Sequence, residues 1–134
     1  MKIEKKKLKT FSDERGGVLT PIEFKDLDFV PKRLFYVTGV PYGNERGNHA
    51  HFETMQLLIC VKGMIGVSLC NADDTGYIIL SENEYVYVGK LIWDAQDFLT
   101  GSDVLLVLCS TNYDRKDYIE DINDYMEICK CAKC

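Results

Sequence analysis

The two histidines of the chain stand two residues apart, in His49-Ala50-His51. In a β-strand, residues i and i+2 project from the same face, so a strand through this segment would point both imidazoles into the same space. Histidine takes and gives protons near neutrality because its unperturbed pKa is about 6.5. The pair can therefore act as proton shuttle and orienter, or as paired acid and base. The plainer alternative is a pair of structural, hydrogen-bonded side chains.

Short β-type runs separated by turn residues must position this pair. Val, Ile, Tyr and Phe favour strands, and the runs they form here are bounded by Gly, Pro, Asn and Asp. The predicted strands are residues 18–24, 33–40, 47–51, 55–61, 65–70, 77–80, 85–88, 91–93 and 104–109. This spacing predicts an all-β domain, a sandwich or a small barrel. We expect a single domain over residues 1–134, with the barrel in about residues 1–112.

The last segment follows a helical rather than a β-type pattern. Apolar side chains recur there at steps of three and four residues, at Tyr118, Ile119, Ile122, Tyr125, Met126 and Cys129. This pattern predicts an amphipathic helix over about residues 117–130, with Asp117 as its N-cap. We expect its apolar stripe to pack over the mouth of the barrel or on the outer face of the sheet.

Charge and hydropathy argue against two classes of function. Sixteen Lys and Arg stand against 21 Asp and Glu, a net charge of −5, whereas a nucleic-acid-binding protein needs a basic surface. The longest apolar run, residues 104–109, is far shorter than the roughly 20 residues that cross a bilayer. The first residues show no apolar signal segment. We therefore expect a cytoplasmic protein that binds neither nucleic acid nor membrane.

The six cysteines, in a chain without an export signal, predict reduced thiols rather than a disulfide framework. Three of them fall in strand-like runs, namely Cys60, Cys70 and Cys109. These should pack as small apolar side chains. The tail carries Cys129, Cys131 and Cys134, three potential ligands where a structural zinc site uses four. A zinc site in the tail would need a further ligand, shared across a dimer, and we do not predict one.

The spacing around the histidines resembles the first cupin motif. From residue 43 to residue 63 it reads Gly, five residues, His-x-His, four residues, Gln, six residues and Gly. Gln56 stands where the metal-binding cupins place Glu. Those proteins hold their metal with both histidines, the Glu and one further histidine, and this chain has no third histidine. We therefore predict a site that uses neither metal nor another cofactor.

Five blocks carry a narrower resemblance: residues 13–17, 32–36, 46–51, 56–61 and 113–118. Together they resemble the dTDP-sugar 3,4-ketoisomerases, the WxcM-like cupins, and Arg-Gly-Asn-His-Ala-His at residues 46–51 is fairly specific. The resemblance implies a jelly-roll (cupin) barrel with a short C-terminal helix. It also implies a homodimer, often with exchanged N-terminal strands, that converts dTDP-4-keto-6-deoxyglucose into a dTDP-linked 3-keto-6-deoxyhexose without metal.

This reaction removes the proton at C3 of the sugar and returns one at C4, through an enediol. The resemblance favours His51 as the base that shuttles the proton, with His49 beside it. The enolate oxygen that develops needs a fixed hydrogen-bond donor, which Tyr36 or a protonated His49 could supply.

Arginines and one amide are the expected contacts to the nucleotide sugar. A planar guanidinium group suits bidentate contact with pyrophosphate, and we assign Arg15, Arg33 and Arg46 to this role. Arg115 is equally well a solvated surface residue. Gln56 contacts a sugar hydroxyl or the thymine, or it is a buried and hydrogen-bonded amide.

One departure from the family falls at residues 93 and 94. Where the family commonly has Trp-His, this chain has Trp93-Asp94. Trp93 is expected to stack on a substrate ring, or else to lie in the core. Asp94 can accept a hydrogen bond from a sugar hydroxyl without being equivalent to the histidine. The departure keeps open a second function, a non-catalytic cupin that binds a nucleotide sugar or carbohydrate, whereas Gln56 disfavours a metal-dependent oxygenase.

Overall fold

The β-type runs form two antiparallel sheets in the computed structural model, which describes residues 3–130 and 134. The strands are β1 (Lys5–Lys7), β2 (Arg33–Val37), β3 (Glu45–His51), β4 (Gln56–Lys62), β5 (Ile65–Cys70), β6 (Thr75–Leu80), β7 (Glu84–Val88), β8 (Trp93–Phe98), β9 (Val104–Cys109) and β10 (Tyr118–Ile119). One sheet has the order β1-β7-β4-β9-β2 and the other β10-β3-β8-β5-β6. With a C-terminal helix, α1 (Ile122–Cys129), this architecture confirms the predicted all-β cupin fold.

Apolar side chains between the two sheets form the main core. They include Leu58, Val67, Phe98, Leu105 and Val107, which alternate along their strands with residues that face outward. Burial of this apolar surface holds the sheets together. A cavity lies between the two sheets where polar residues take the place of some of the apolar ones. This cavity is the candidate functional site.

The outer faces of both sheets are partly covered. Phe29, in the segment before β2, packs on the first sheet against Leu57 and Leu108. Helix α1 packs on the second sheet, where the buried Tyr125 contacts the cluster that contains Ala50. The helix therefore lies on the outer face of a sheet rather than over the mouth of the barrel, and it supports β3 from behind.

The helix is shorter than the sequence pattern predicts. It begins at Ile122, and the side chain of Asp121 caps it by accepting hydrogen bonds from the backbone N–H groups of Asn123 and Asp124. Asp117 instead ends a 3-10 turn, and Tyr118 begins the short strand β10. The predicted helix started too early because β10 and α1 both contribute apolar residues to the same cluster on the second sheet, so that their residues form one continuous pattern in the sequence.

The strands also differ from the sequence prediction in several places. Residues 18–24 form no strand, and only a single bridge joins Phe11 to Leu19. Strand β1 was not predicted, because three consecutive lysines carry no strand signal, yet it pairs with β7. Strand β8 runs over Trp93–Phe98 rather than residues 91–93. Its sequence contains several polar residues and therefore does not show the apolar pattern that is typical of a strand.

The cysteines are not all free thiols. A disulfide joins Cys70 to Cys134, whose Cα atoms lie 5.9 Å apart, and Cys60, Cys109 and Cys129 are free. The prediction of reduced thiols is therefore wrong for this pair, because the fold returns the end of the chain to β5 across 64 residues of sequence. Cys131, the middle cysteine of the tail, lies outside the described residues, and the absence of tail zinc stays a prediction.

No helix among the described residues is long and apolar enough to span a membrane.

Candidate active site

A β-bulge in β3 aims two side chains at the same cavity. Arg46 pairs with Gln96 and His49 with Asp94, and the register shifts between Gly47 and His49. Without this extra residue, positions three apart would point to opposite faces of the strand. The bulge is possible because the backbone at residues 47 and 48 is left-handed, with φ of 87° and 59°. Arg46 and His49 consequently both line the cavity.

The bulge requires glycine at residue 47, which gives a testable prediction. A Cβ atom there would lie 2.8 Å from Nε2 of Gln96 and 3.1 Å from the backbone oxygen of Asp94. Gly43→Ala is a matched control, since Gly43 has φ of 88° and open space around it. The left-handed backbone alone should cost the control about 1–2 kcal/mol of unfolding free energy. Gly47→Ala should cost more, measured by denaturant unfolding, and should also lower turnover; equal losses and unchanged turnover would contradict this account of the bulge.

The cavity has a volume of about 500 Å³, within the range of small-molecule sites. Its walls come from both sheets, with Phe35 and Val37 on β2, Gln56 on β4, and Tyr118 on β10 among the residues that line it. One side is apolar and the other carries the imidazole, amide and guanidinium groups. Such a combination fixes the orientation of a polar ligand and excludes much of the bulk water.

His51 is held by a carboxylate. Its Nδ1 lies 3.0 Å from Oδ2 of Asp117, which also accepts a hydrogen bond from the hydroxyl of Thr54. The other oxygen of Asp117 accepts from the backbone N–H of Glu53 at 2.7 Å. Burial raises the pKa of Asp117, but these hydrogen bonds outweigh it and hold the pKa below its usual value. Asp117 therefore stays ionised and fixes a hydrogen on Nδ1 of His51.

This arrangement leaves Nε2 of His51 as a free lone pair. The residue is 3 % exposed, and its Nε2 has no hydrogen-bond partner in the described structure. Burial, followed by the neighbouring His49, lowers the pKa of His51 to about 4. The ring is consequently neutral near pH 7, with Nδ1–H donated to Asp117 and Nε2 able to accept a proton.

Tyr118 packs against both histidines. Its ring centroid lies 4.3 Å from that of His51 and 5.3 Å from that of His49, and the two imidazoles lie 5.0 Å apart. Tyr118 also lines the cavity, and its phenol group can donate a hydrogen bond to a ligand there. Asp117 and Tyr118 were not predicted as site residues, although both belong to the block at residues 113–118 that carried part of the resemblance.

Asp94 lies buried beneath His49. One carboxyl oxygen, Oδ1, is 3.9 Å from Nε2 of His49, and the other accepts a hydrogen bond from the Gln96 amide. Burial raises the pKa of Asp94 to about 7, partly offset by the hydrogen bond from Gln96. Burial also lowers the pKa of His49. Asp94 therefore adjoins the imidazole rather than presenting an exposed acceptor to a sugar.

Three predicted contact residues meet at the cavity or directly beside it. Arg33 and Gln56 both pair with Cys109 of β9, which lies between their strands, and Gln56 donates to the Cys109 sulfur at 3.4 Å. The Arg33 guanidinium stacks at 5.5 Å from the ring centroid of Tyr113, and its Nε is buried without a partner. Gln56 lines the cavity from the first sheet and Arg46 lines it from the second, whereas Arg33 lies beside this cavity and is not among its lining residues.

Tyr36 lies away from the cavity of its own chain, against the prediction. Phe35 and Val37 line the cavity, and because side chains alternate along a strand, Tyr36 projects from the opposite face, where it is 69 % exposed. The tyrosine that the fold brings to the histidines is Tyr118.

Trp93 and Arg15 also differ from their predicted places. Trp93 packs beneath α1, with its ring centroid 5.4 Å from that of Tyr125, so the core alternative holds for it. Arg15 lines a separate cleft formed by residues 11–19 and pairs with Asp13 through its guanidinium group. Neither side chain lines the cavity that contains His49.

The described residues hold no group of three His, Cys, Asp or Glu side chains that could bind a metal ion. At the histidines, the neutral amide of Gln56 takes the place of the carboxylate that a cupin metal site needs.

The two-sheet barrel with histidines, arginine and glutamine in its cavity defines a cupin. Within the cupins, the chain matches one family. The family model described as FdtA, WxcM-like, C-terminal, matches residues 1–130, and the chain therefore belongs to that family. A TDP-4-oxo-6-deoxy-α-D-glucose-3,4-oxoisomerase from Aneurinibacillus thermoaerophilus is 30% identical over 118 residues, which cover 87% of this chain and 85% of that protein.

Solved structures agree with this assignment. The 3,4-ketoisomerase QdtA from Thermoanaerobacterium thermosaccharolyticum, in a histidine-to-asparagine variant bound to TDP-4-keto-6-deoxyglucose, matches with a TM-score of 0.87 and 36% identity. The match covers 96% of this chain and 94% of that one. A 3,4-ketoisomerase from Helicobacter canadensis matches with a TM-score of 0.89 and 29% identity, covering 97% and 98% of the two chains.

Proposed function

We propose that this protein is a nucleotide-sugar isomerase that converts TDP-4-keto-6-deoxyglucose into a TDP-linked 3-keto-6-deoxyhexose without a metal ion. One observation carries the proposal: a neutral His51, oriented by Asp117, holds an unpaired Nε2 beside His49 and Tyr118. The oxoisomerase and ketoisomerase activities named for the relatives supply the substrate class.

The chemistry follows from the state of these groups. Nε2 of His51 removes the proton at C3, and the electrons of that bond form a C3–C4 double bond as negative charge moves to O4. A donor at O4 stabilises this charge, and in this proposal the phenol group of Tyr118, which lines the cavity, provides it. O4 then gains a proton, O3 loses one, and protonation of C4 leaves the ketone at C3. His51 can return the proton that it took, so the residues are unchanged after turnover.

The binding of pyrophosphate in this proposal depends on arginine, which gives a second prediction. Arg46 lines the cavity, and its planar fork can bind phosphate through two parallel hydrogen bonds, whereas an ammonium group cannot. Arg46→Lys should therefore weaken TDP binding despite its unchanged charge, measured by calorimetry without the sugar. Arg115→Lys is the matched control, since Arg115 lies in an exposed 3-10 turn. Unchanged affinity in Arg46→Lys would remove Arg46 from the phosphate site.

We also propose that two copies of the chain form a homodimer. Strand β2 is an edge of its sheet, and its outward residues Leu34 and Tyr36 are exposed, as are Val18 and Leu19. Exposed apolar edges of this kind are typical of surfaces that pair with another chain. Arg15 belongs to the same N-terminal region, so its proposed contact with substrate requires the cavity of a second copy. Sedimentation equilibrium should give twice the chain mass of 15.3 kDa, and a single-chain mass would contradict the dimer.

Incubation with substrate tests the proposed function. Protein treated with a chelator should convert TDP-4-keto-6-deoxyglucose into a 3-keto sugar, followed by NMR, and elemental analysis should find no stoichiometric metal at the histidines. Sugar that binds without change would support the non-catalytic alternative. Isomerisation that is lost on chelation and restored by one metal equivalent would contradict the metal-free proposal.

A further inference from the structure

Two buried polar atoms face each other where β3 pairs with β8. Nε2 of His49 and Oδ1 of Asp94 lie 3.9 Å apart, and neither has a hydrogen-bond partner in the part of the chain that the structure describes. Buried polar groups are nearly always paired, and a shift of about 1 Å would bring these two atoms to hydrogen-bond distance. The gap is too narrow for a bridging water, so each atom is the natural partner of the other.

The remaining hydrogen-bonding groups determine how many protons the pair holds. The backbone carbonyl of Gly47 is an acceptor for the His49 ring, and since Nε2 is unpartnered, that acceptor serves Nδ1, which therefore keeps its hydrogen. The Gln96 amide donates to the other carboxyl oxygen of Asp94. A single further proton between Nε2 and Oδ1 would satisfy both atoms and leave the buried pair without net charge.

We propose that Asp94 is a positioning residue for the isomerase reaction, which shares one proton with Nε2 of His49 and so fixes the His49 ring in place against His51 and Tyr118. The proposal deepens the proposed function, on which its kinetic part rests. It explains why an acidic residue is completely buried in this barrel, and it distinguishes His49 from His51, whose carboxylate partner stays ionised.

The charged and titratable groups around the pair allow this assignment. His51 and Tyr118 contact the His49 ring, and Arg46 and Glu120 line the same cavity. From the other side, β5 places only the apolar Leu69 opposite Asp94. Burial raises the pKa of Asp94 to about 7, which agrees with a carboxyl group that holds a proton near neutrality.

The chain offers a clean test because it has only two histidines. Long-range ¹H–¹⁵N NMR then shows two imidazole rings, which His51→Asn assigns. Asp94→Asn removes the titratable group, and Asp97→Asn is the matched control, since Asp97 lies on the same strand with its carboxylate near the Tyr77 hydroxyl. The proton affinity of His49 should fall about tenfold or more in Asp94→Asn and stay unchanged in Asp97→Asn. An unchanged His49 titration in Asp94→Asn would overturn the proposal.

Kinetics supply the second readout. With TDP-4-keto-6-deoxyglucose, kcat of Asp94→Asn should fall roughly 10–100-fold, as when carboxylates that orient metal-binding histidines are removed, while TDP affinity stays unchanged. A purely structural role would instead lower the thermal midpoint and leave kcat of the folded protein and the His49 titration as they are. If wild-type protein leaves the sugar unchanged, the proposed function fails and the NMR titration alone decides the role of Asp94.

A further measurement applies if Asp94→Asn does not fold. In wild-type protein, the carboxyl ¹³C resonance of Asp94 and the Nε2 resonance of His49 should titrate with common midpoints, because two groups that share a proton titrate as a pair. Independent midpoints would overturn the proposal.

Discussion

Replacing His51 with asparagine should nearly abolish turnover while the protein still folds and binds TDP. Asparagine fills the near half of the imidazole volume and keeps a polar edge towards Asp117, so the core beneath β10 stays packed. It offers no lone pair that can accept the C3 proton near neutrality. Turnover should therefore fall by about 10²–10⁴, the usual effect of losing a general base.

Thermal unfolding, TDP calorimetry and turnover of one His51→Asn sample separate the catalytic from the structural interpretation. The catalytic interpretation expects a thermal midpoint and a TDP affinity close to those of the wild type, with turnover almost lost. A buried structural histidine would show the reverse pattern, a lower midpoint and normal turnover per folded molecule. Wild-type turnover in the variant would end the assignment of His51 as the base.

Asp117→Asn should lower turnover by a comparable factor through a different route. Asparagine has the shape of aspartate, but its NH₂ group can donate to Nδ1 of His51, which moves the ring hydrogen to Nε2 and blocks the base. The same substitution at the orienting aspartate of a serine protease triad lowers kcat by about 10⁴ for this reason, and we expect about 10²–10⁴ here. The ¹⁵N spectrum of the His51 ring should show the exchanged tautomer.

Asp114→Asn is the matched control for this prediction. Asp114 precedes the same 3-10 turn, and its side chain accepts a hydrogen bond from the Lys116 backbone, but it does not contact a histidine. Asp117→Asn will also lower stability, because the donors of Glu53 and Thr54 lose acceptor capacity, so turnover is compared per folded molecule. Normal turnover with an unchanged His51 tautomer would show that Asp117 has only a structural role.

The sequence was sufficient to predict that the two histidines share one face of a strand, because side chains alternate between the two faces and residues two apart therefore point the same way. It also assigned Arg46 correctly to the cavity, but only through the resemblance, since strict alternation would have turned Arg46 away from His49. The bulge that lets Arg46 and His49 point into the same cavity arises from left-handed backbone at Gly47 and Asn48. A short sequence signal, Gly followed by Asn, was present, but a bulge depends on the register with β8.

Long-range packing explains the remaining errors. Asp94 and Gln96 gave β8 a polar sequence, although both are buried inside the barrel. Polar residues in a core are a mark of function rather than of a loop. Tyr36 was preferred over Tyr118 because nothing local shows which face of β2 is inward. The partner of Cys70 comes from the far end of the chain, a contact that no local pattern encodes.

NMR of the reaction in D₂O tests the central claim, metal-free proton transfer by the histidines of this cavity, most directly. Chelator-treated protein should convert TDP-4-keto-6-deoxyglucose into a 3-keto product that carries deuterium at C4, because the imidazolium proton of His51 exchanges with solvent during turnover. His51→Asn under the same conditions should leave both the ketone position and the C3 hydrogen of the substrate unchanged. Substrate that binds to the wild-type protein but shows neither conversion nor exchange at C3 would contradict the claim.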